Sequence, residues 1–362
     1  MEEKYQKLVK WIEKNGGYLK NFQIKEGNDG KTLITKENIS SGEEILRIPS
    51  KLFINGRVFK EQDISKEAKT IGEFIVELKK GKTSFFEPYL NLLPSIESFK
   101  KHPLRQLNSK NVRRWNQINP DFVYYVLQLQ KKYIDISKEL DFFPKQLVLY
   151  GFLILYTRAW INKLNCSLVP VMDLLQHQNS ACKGNLIFSN DQYFYSMKIN
   201  KNINKNNEVF DNYGCKSNLE FLAQYNFIDQ NPIQPIQISD QLTILQKSEI
   251  DRILSYYSEY PFLDENGPNK CLKAIFRIYF ISDSEIKKYR NKSETYFDNP
   301  LRVVQEKVWI QNFKKSLQNS LHKIKIQKPH FVLSSFEKLI YQASLQKYNI
   351  FKKTLLLLSL DN

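Results

Sequence analysis

Apolar residues along this 362-residue chain change their spacing in blocks, from every second residue to every third or fourth and back. Side chains alternate across a strand and recur at 3.6 residues on a helix, so the spacing is a direct constraint on fold class. Residues 22–54 read as short strands: Leu33-Ile34-Thr35 and 44–48 are β-prone, and Ser41-Gly42 between them is a turn signal. Pro49 should stop the second strand, because proline cannot donate to a ladder. From about 60 to 161 the spacing is helical, in 64–80, 120–137 and 144–161. Strand character returns at 168–171, 186–188, 193–198 and 209–211, and beyond Pro232 the chain is helical to its end. Leu8, Trp11 and Ile12 give the first residues the stripe of an amphipathic helix. This layout predicts an α+β fold with parts at 1–59, 60–161, 162–232 and 233–362.

No apolar run approaches the roughly 20 residues that a bilayer crossing needs, so no membrane role is expected. The charged start lacks the apolar stretch of a secretory signal, which predicts an intracellular protein, cytoplasmic or nuclear. Cys166, Cys182, Cys215 and Cys271 form neither a CxxC pair nor a zinc spacing; four reduced thiols and no metal are expected. The net charge of +16 favours acidic partners. Its lysines are spread along the chain, and charge alone carries no sequence readout, so a basic surface is expected but a specific nucleic-acid role is not.

Two segments carry the chemistry. In 168–177 a short apolar run leads to an acid, an amide and a histidine: Asp173, Gln176 and His177. In 208–227, Tyr213-Gly214 precedes Lys216-Ser217-Asn218-Leu219-Glu220, and Tyr225-Asn226-Phe227 follows a helix-prone stretch. Together they resemble the SET family of protein methyltransferases, in the branch of Rubisco large-subunit methyltransferase, with its Pro-x-x-Asp-x-x-Asn-His, Tyr-Gly-x-x-Ser-Asn-x-Glu-Leu and Tyr-Gly-Phe elements. Upstream, Pro88-Tyr89-Leu90-Asn91-Leu92-Leu93-Pro94 is similar to the branch's Pro-Tyr-x-x-x-Leu-Pro element, 156–160 to its Ser-Arg-aromatic helix end, and 39–49 to its first-strand region.

The resemblance implies a SET-type β-fold with a pseudoknot, a helical insertion and an all-α C-terminal domain for substrate docking. It implies S-adenosyl-L-methionine as cofactor and a protein substrate; a monomer is expected. Methyl transfer is an in-line displacement at a sulfonium carbon, and holding a neutral amine or imidazole collinear can lower such a barrier by up to about 7–11 kcal/mol. By its match to the branch, Tyr213 would orient the nucleophile, and Tyr225 would line the same pocket. Arg158 would meet the cofactor carboxylate, which a guanidinium forks onto well. Gly30, Lys31, Thr32 and Leu33 would form its strand, Gln176 and His177 would hold its adenosine side, and Asp173 would orient the turn that follows.

Three departures fall in the cofactor pocket: Gln176 replaces asparagine, Thr32 replaces a glycine that allows close backbone approach, and Ile34 stands where some relatives carry arginine. Asn207 and Asn226 replace two further glycines, a tolerant exchange at positive φ. Two readings follow. One is a methyltransferase acting on a lysine or histidine of a non-histone protein. The other is a catalytically inactive SET scaffold that binds a partner protein or ribonucleoprotein.

Overall fold

The helix Lys145–Arg158 is apolar on nearly every side, and a helix of that kind has to sit inside a core. Val148, Phe152, Leu153, Ile154 and Leu155 are all buried. Gly151 sets its approach to the helix Lys66–Lys80, since a Cβ there would stand 2.8 Å from Ile71 Cγ2. The second helix starts on Ser65, whose hydroxyl accepts the Ala68 amide at 3.2 Å. From within this helix, the buried Glu73 carboxylate accepts from the Asn55, Gly56 and Arg57 amides at 3.2, 2.6 and 2.9 Å and fixes the preceding loop.

The computed structural model describes residues 2–27, 30–161, 166–179, 185–189, 192–236, 244–257, 260–279, 282–289, 303–324 and 332–360. These fall into two compact units. The first comprises 1–107, 126–214 and 223–226; the second comprises 108–125, 215–222 and 227–362. The four-part division read from spacing differs from this one, because compactness groups 108–125 with residues more than a hundred positions away.

In the first unit a four-stranded antiparallel sheet runs in the order Tyr18–Leu19, Glu44–Pro49, Gln192–Lys198, Asn185–Ser189. The hairpin Phe22–Gly27/Gly30–Thr35 lies apart from it. The outer edge of Gly30–Thr35 takes the chain at 207–209, with Val209 N–H donating to Leu33 O at 3.0 Å and Thr35 N–H to Asn207 O at 3.1 Å. Gln176–His177 and Phe210–Asp211 pair in parallel, bringing the two motif segments side by side. Expected strands at 44–48, 186–188, 193–198 and 209–211 are found within two residues of their limits. The one expected at 168–171 is not: only Leu168 makes a bridge, to Ile54. Pro170 has no amide to donate, and Val171 turns to φ 74°.

The second unit holds the helices Ser109–Ile118, Ile244–Tyr257, Lys270–Tyr279, Asp283–Tyr289, Val303–Lys323 and Ser335–Leu360. Trp309, Phe313, Leu317, Ile350 and Phe351 form one of its cores. The helical expectation needs one addition. A small antiparallel sheet of Gln234–Pro235, Phe262–Asp264 and Gly267–Pro268 sits among the helices. Its tight turn is made by Asp264, whose carboxylate accepts the Asn266 amide at 2.7 Å, and by Gly267 at φ 93°.

Candidate active site

The site grows from the end of the buried helix Lys145–Arg158. Arg158, in its last turn, reaches the 3-10 turn Met172–Leu174, where its Nη1 donates to the Asp173 carbonyl at 2.8 Å and to Asp173 Oδ2 at 3.1 Å. The turn is held tightly. Val171, at its start, is fully buried in a positive-φ conformation that β-branched residues rarely adopt. Asp173 is itself buried, and its carboxyl lies above the usual carboxylate range because burial outweighs the adjacent guanidinium. Arg158 Nε and Asp173 Oδ1 have no hydrogen-bond partner among the described residues.

Two residues on, the Leu175 carbonyl accepts the Tyr213 hydroxyl at 2.6 Å. The Tyr213 amide donates to His177 Nδ1 at 3.1 Å, and His177 Nε2 lies 3.1 Å from Asn179 Oδ1. Gln178 N–H donates to Asp211 O at 3.0 Å and Asn212 Nδ2 to Asn179 O at 2.9 Å. These bonds, with the parallel pairing, clamp the two motif segments together.

Tyr225 ends the helix Asn218–Tyr225, which opens on a reciprocal Ser217/Glu220 cap. Its ring lies 5.1 Å from that of Tyr213, and Tyr213 lies 5.3 Å from His177. The neighbouring Gln224 anchors it twice: its side chain donates to Tyr156 O at 2.7 Å, and its carbonyl accepts from buried His102 at 2.9 Å. Burial lowers His102 to about 4, which keeps that imidazole neutral. Both site tyrosines are pushed above their ordinary range, chiefly by burial. Asn226 takes φ 66°, as an asparagine in place of glycine allows. In the other case the left-handed residue is Asn206, at φ 67°, one position before Asn207.

The strand Gly30–Thr35 closes the site by backbone and by two substituted side chains. Gln176 Nε2 donates to the Lys31 carbonyl at 2.7 Å, so the longer amide is used within the chain. The Thr32 hydroxyl donates to Glu208. Lys31 Nζ donates to Leu92 O at 2.8 Å. Leu33 and Ile34 are buried apolar residues, and a cation at Ile34's position would find no water. Sequence reasoning missed His102 and Gln224 as holders of Tyr225. Nothing local marks them, since their bond spans 122 positions.

Among the described residues no group of three or more His, Cys, Asp or Glu side chains could hold a metal ion, and no helix is long and apolar enough to cross a membrane. Cys166 and Cys215 are free thiols, and Cys182 lies outside the described residues.

No family model matches the chain. Curated relatives do. The Rubisco large-subunit N-methyltransferase of Pisum sativum is 23% identical over 254 residues, covering 62% of this chain and 52% of that protein. The [fructose-bisphosphate aldolase]-lysine N-methyltransferase of Arabidopsis thaliana is 26% identical over 234 residues, covering 56% and 47%. The Nicotiana tabacum Rubisco enzyme is 24% identical over 290 residues, covering 72% and 57%. The chain thus spans about half the length of the curated relatives it matches. In structure, the SET domain of LSMT bound to lysine and AdoHcy superposes with a TM-score of 0.56 at 14% identity, over 99% of this chain and 91% of the other. Rubisco LSMT bound to sinefungin and monomethyllysine gives 0.52 at 16%, over 100% and 92%. The chain therefore has the fold of the SET domain of LSMT, and in sequence it is similar to Rubisco large-subunit-type methyltransferases.

Proposed function

We propose that the chain is an S-adenosylmethionine-dependent N-methyltransferase acting on a lysine, or a histidine, side chain of a non-histone protein. One observation carries the reading: the Tyr213–Tyr225 ring pair is tied through Leu175 O to the turn bearing Asp173, whose ion pair with the half-buried Arg158 leaves one buried donor and one buried acceptor open. An open guanidinium N–H beside an open carboxylate oxygen suits the amino-acid end of the cofactor, whose carboxylate and ammonium need one of each. The N-methyltransferase names of the relatives, one of them a lysine N-methyltransferase, point the same way.

Bound S-adenosylmethionine would supply an electrophilic methyl group on its sulfonium. The chain's own part is to bind and orient. Arg158 and Asp173 would hold the headgroup, and the 30–33 backbone would flank it. The Tyr213 hydroxyl donates a hydrogen bond to Leu175 O, which fixes the direction of its oxygen, and Tyr225 packs against its ring. A hydroxyl whose ionisation burial pushes upward stays neutral and is a poor base. The target amine must therefore lose its proton before transfer, and the rate should rise with pH until that amine is neutral.

The helical second unit would dock the substrate protein, a monomer would suffice, and the cytoplasm or nucleus would be the setting. Incubation of the purified chain with radiolabelled S-adenosylmethionine and cell extract tests the proposal. Labelled protein is expected, with a drop of about 100-fold for Tyr213→Phe, the scale of one lost transition-state contact. A wild type that labels nothing, indistinguishable from Tyr213→Phe, sinks it.

A second reading, an inactive scaffold for a partner protein or ribonucleoprotein, is favoured by Gln176 and Thr32, whose side chains are engaged within the chain. It requires no cofactor binding at millimolar concentration, and micromolar binding by calorimetry would eliminate it.

A further inference from the structure

The 88–94 element is among the most distinctive stretches of the sequence, yet it supplies none of the site residues named above. It is anchored at three places. Pro94 O accepts the Tyr150 hydroxyl at 2.8 Å, and Leu92 O accepts Lys31 Nζ at 2.8 Å, which ties the element to the strand Gly30–Thr35. The third anchor is the Tyr89 side chain, 1% exposed.

Its hydroxyl has no hydrogen-bond partner among the described residues. A buried hydroxyl left in that state is costly and seldom retained without a use. Tyr89 feels the fields of both Asp173 and Arg158, the first raising and the second lowering its ionisation, and Lys31 acts on Asp173 in turn. Lys31 ties the two neighbourhoods together, its Nζ bonding Leu92 O three residues from Tyr89 and its carbonyl taking Gln176 Nε2 three residues from Asp173. The elements so joined carry three buried polar atoms without a partner among the described residues: the Tyr89 hydroxyl, Asp173 Oδ1 and Arg158 Nε. A hydroxyl, an acceptor and a donor are the groups that a zwitterionic headgroup can use.

We propose that Tyr89 is a positioning residue for the Arg158–Asp173 pair, its hydroxyl steadying the Asp173 carboxylate when a zwitterionic amino-acid headgroup enters between that carboxylate and Arg158. The inference rests on the cofactor reading above and extends it to a residue of the 88–94 element. Tyr89 acts through Asp173. Its loss weakens headgroup binding without removing a transition-state contact.

The test is calorimetric titration of S-adenosylhomocysteine into the full chain and its Tyr89→Phe variant, with unliganded thermal midpoints and methyl-transfer kinetics beside it. Tyr89→Phe should weaken binding about tenfold, as loss of one hydrogen bond to a charged group does. It should raise KM for S-adenosylmethionine and leave kcat within about threefold, since a uniform binding contact moves KM. The unliganded midpoint should hold or rise, because an unpartnered hydroxyl is removed. On an Asp173→Asn background the same change should have no further effect on affinity. Equal affinity of wild type and Tyr89→Phe overturns the proposal, as does a lowered unliganded midpoint with unchanged affinity. A wild type that binds nothing overturns the cofactor reading along with it.

Discussion

Two arginine–carboxylate pairs in this molecule have the same chemistry and opposite states. Arg114 and Glu337, in the second unit, form a two-pronged pair, Nε to Oε1 at 2.5 Å and Nη2 to Oε2 at 2.8 Å, and Glu337 also accepts the Ser334 amide at 2.8 Å. The arginine's hydrogen bond takes Glu337 down to about 2. Arg158 and Asp173, in the first unit, share a single 3.1 Å side-chain bond, keep one atom each unpartnered, and leave Asp173 raised. The Arg114–Glu337 pair engages both carboxylate oxygens within the chain. Under the proposed function, the Arg158–Asp173 pair would hold atoms open and bear the cost of desolvation until a ligand arrives.

The largest expected effect tests the open pair. Arg158→Ala strands a buried carboxylate and should cost about 3–5 kcal/mol in urea denaturation; a loss under 1 kcal/mol would mean Asp173 is already neutral. Next comes the closed pair. Glu337 is lowered from 4.5 to about 2, so its stabilisation is full above pH 4.5 and fades as pH falls toward 2. Glu337→Gln should therefore cost about 2–3 kcal/mol at pH 7, and the gap from wild type should close in acid. A smaller effect is expected at Gln176→Asn, which shortens the arm that reaches Lys31 O: about 1 kcal/mol, with altered S-adenosylhomocysteine affinity. Smallest is Asp173→Asn. A raised carboxyl contributes stability when protonated and loses it as pH rises through its folded value. At neutral pH the unliganded variant should match or exceed wild type in thermal midpoint, while the midpoint gain from S-adenosylhomocysteine shrinks. A clear destabilisation would make this pair like Arg114–Glu337.

Much of the site is legible in the amino-acid sequence. Arg158, Asp173, His177, Tyr213 and Tyr225 do meet, because short motifs preserve both residue type and spacing. The fold class follows from periodicity, which reports local geometry. What stays hidden depends on distant partners. His102 serves Tyr225 through Gln224 across 122 positions, and Thr32 finds Glu208 across 176. Asn207 and Asn206 look alike in sequence, and only the pairing of Thr35 with both decides which one turns left-handed. The small sheet at 234–268 escapes a reading by spacing because strands of two or three residues are too short to display a period.

Val171 carries a consequence for hydrogen exchange. A valine at φ 74° holds about 1–3 kcal/mol of strain, and full burial prevents it from relaxing unless the core opens around it. The Leu174 and Leu175 amides, bonded to Val171 O and Met172 O, should then exchange with solvent only in global unfolding events. The turn bearing Asp173 would be among the slowest-exchanging places in the protein, although it is 3-10 rather than regular helix or sheet.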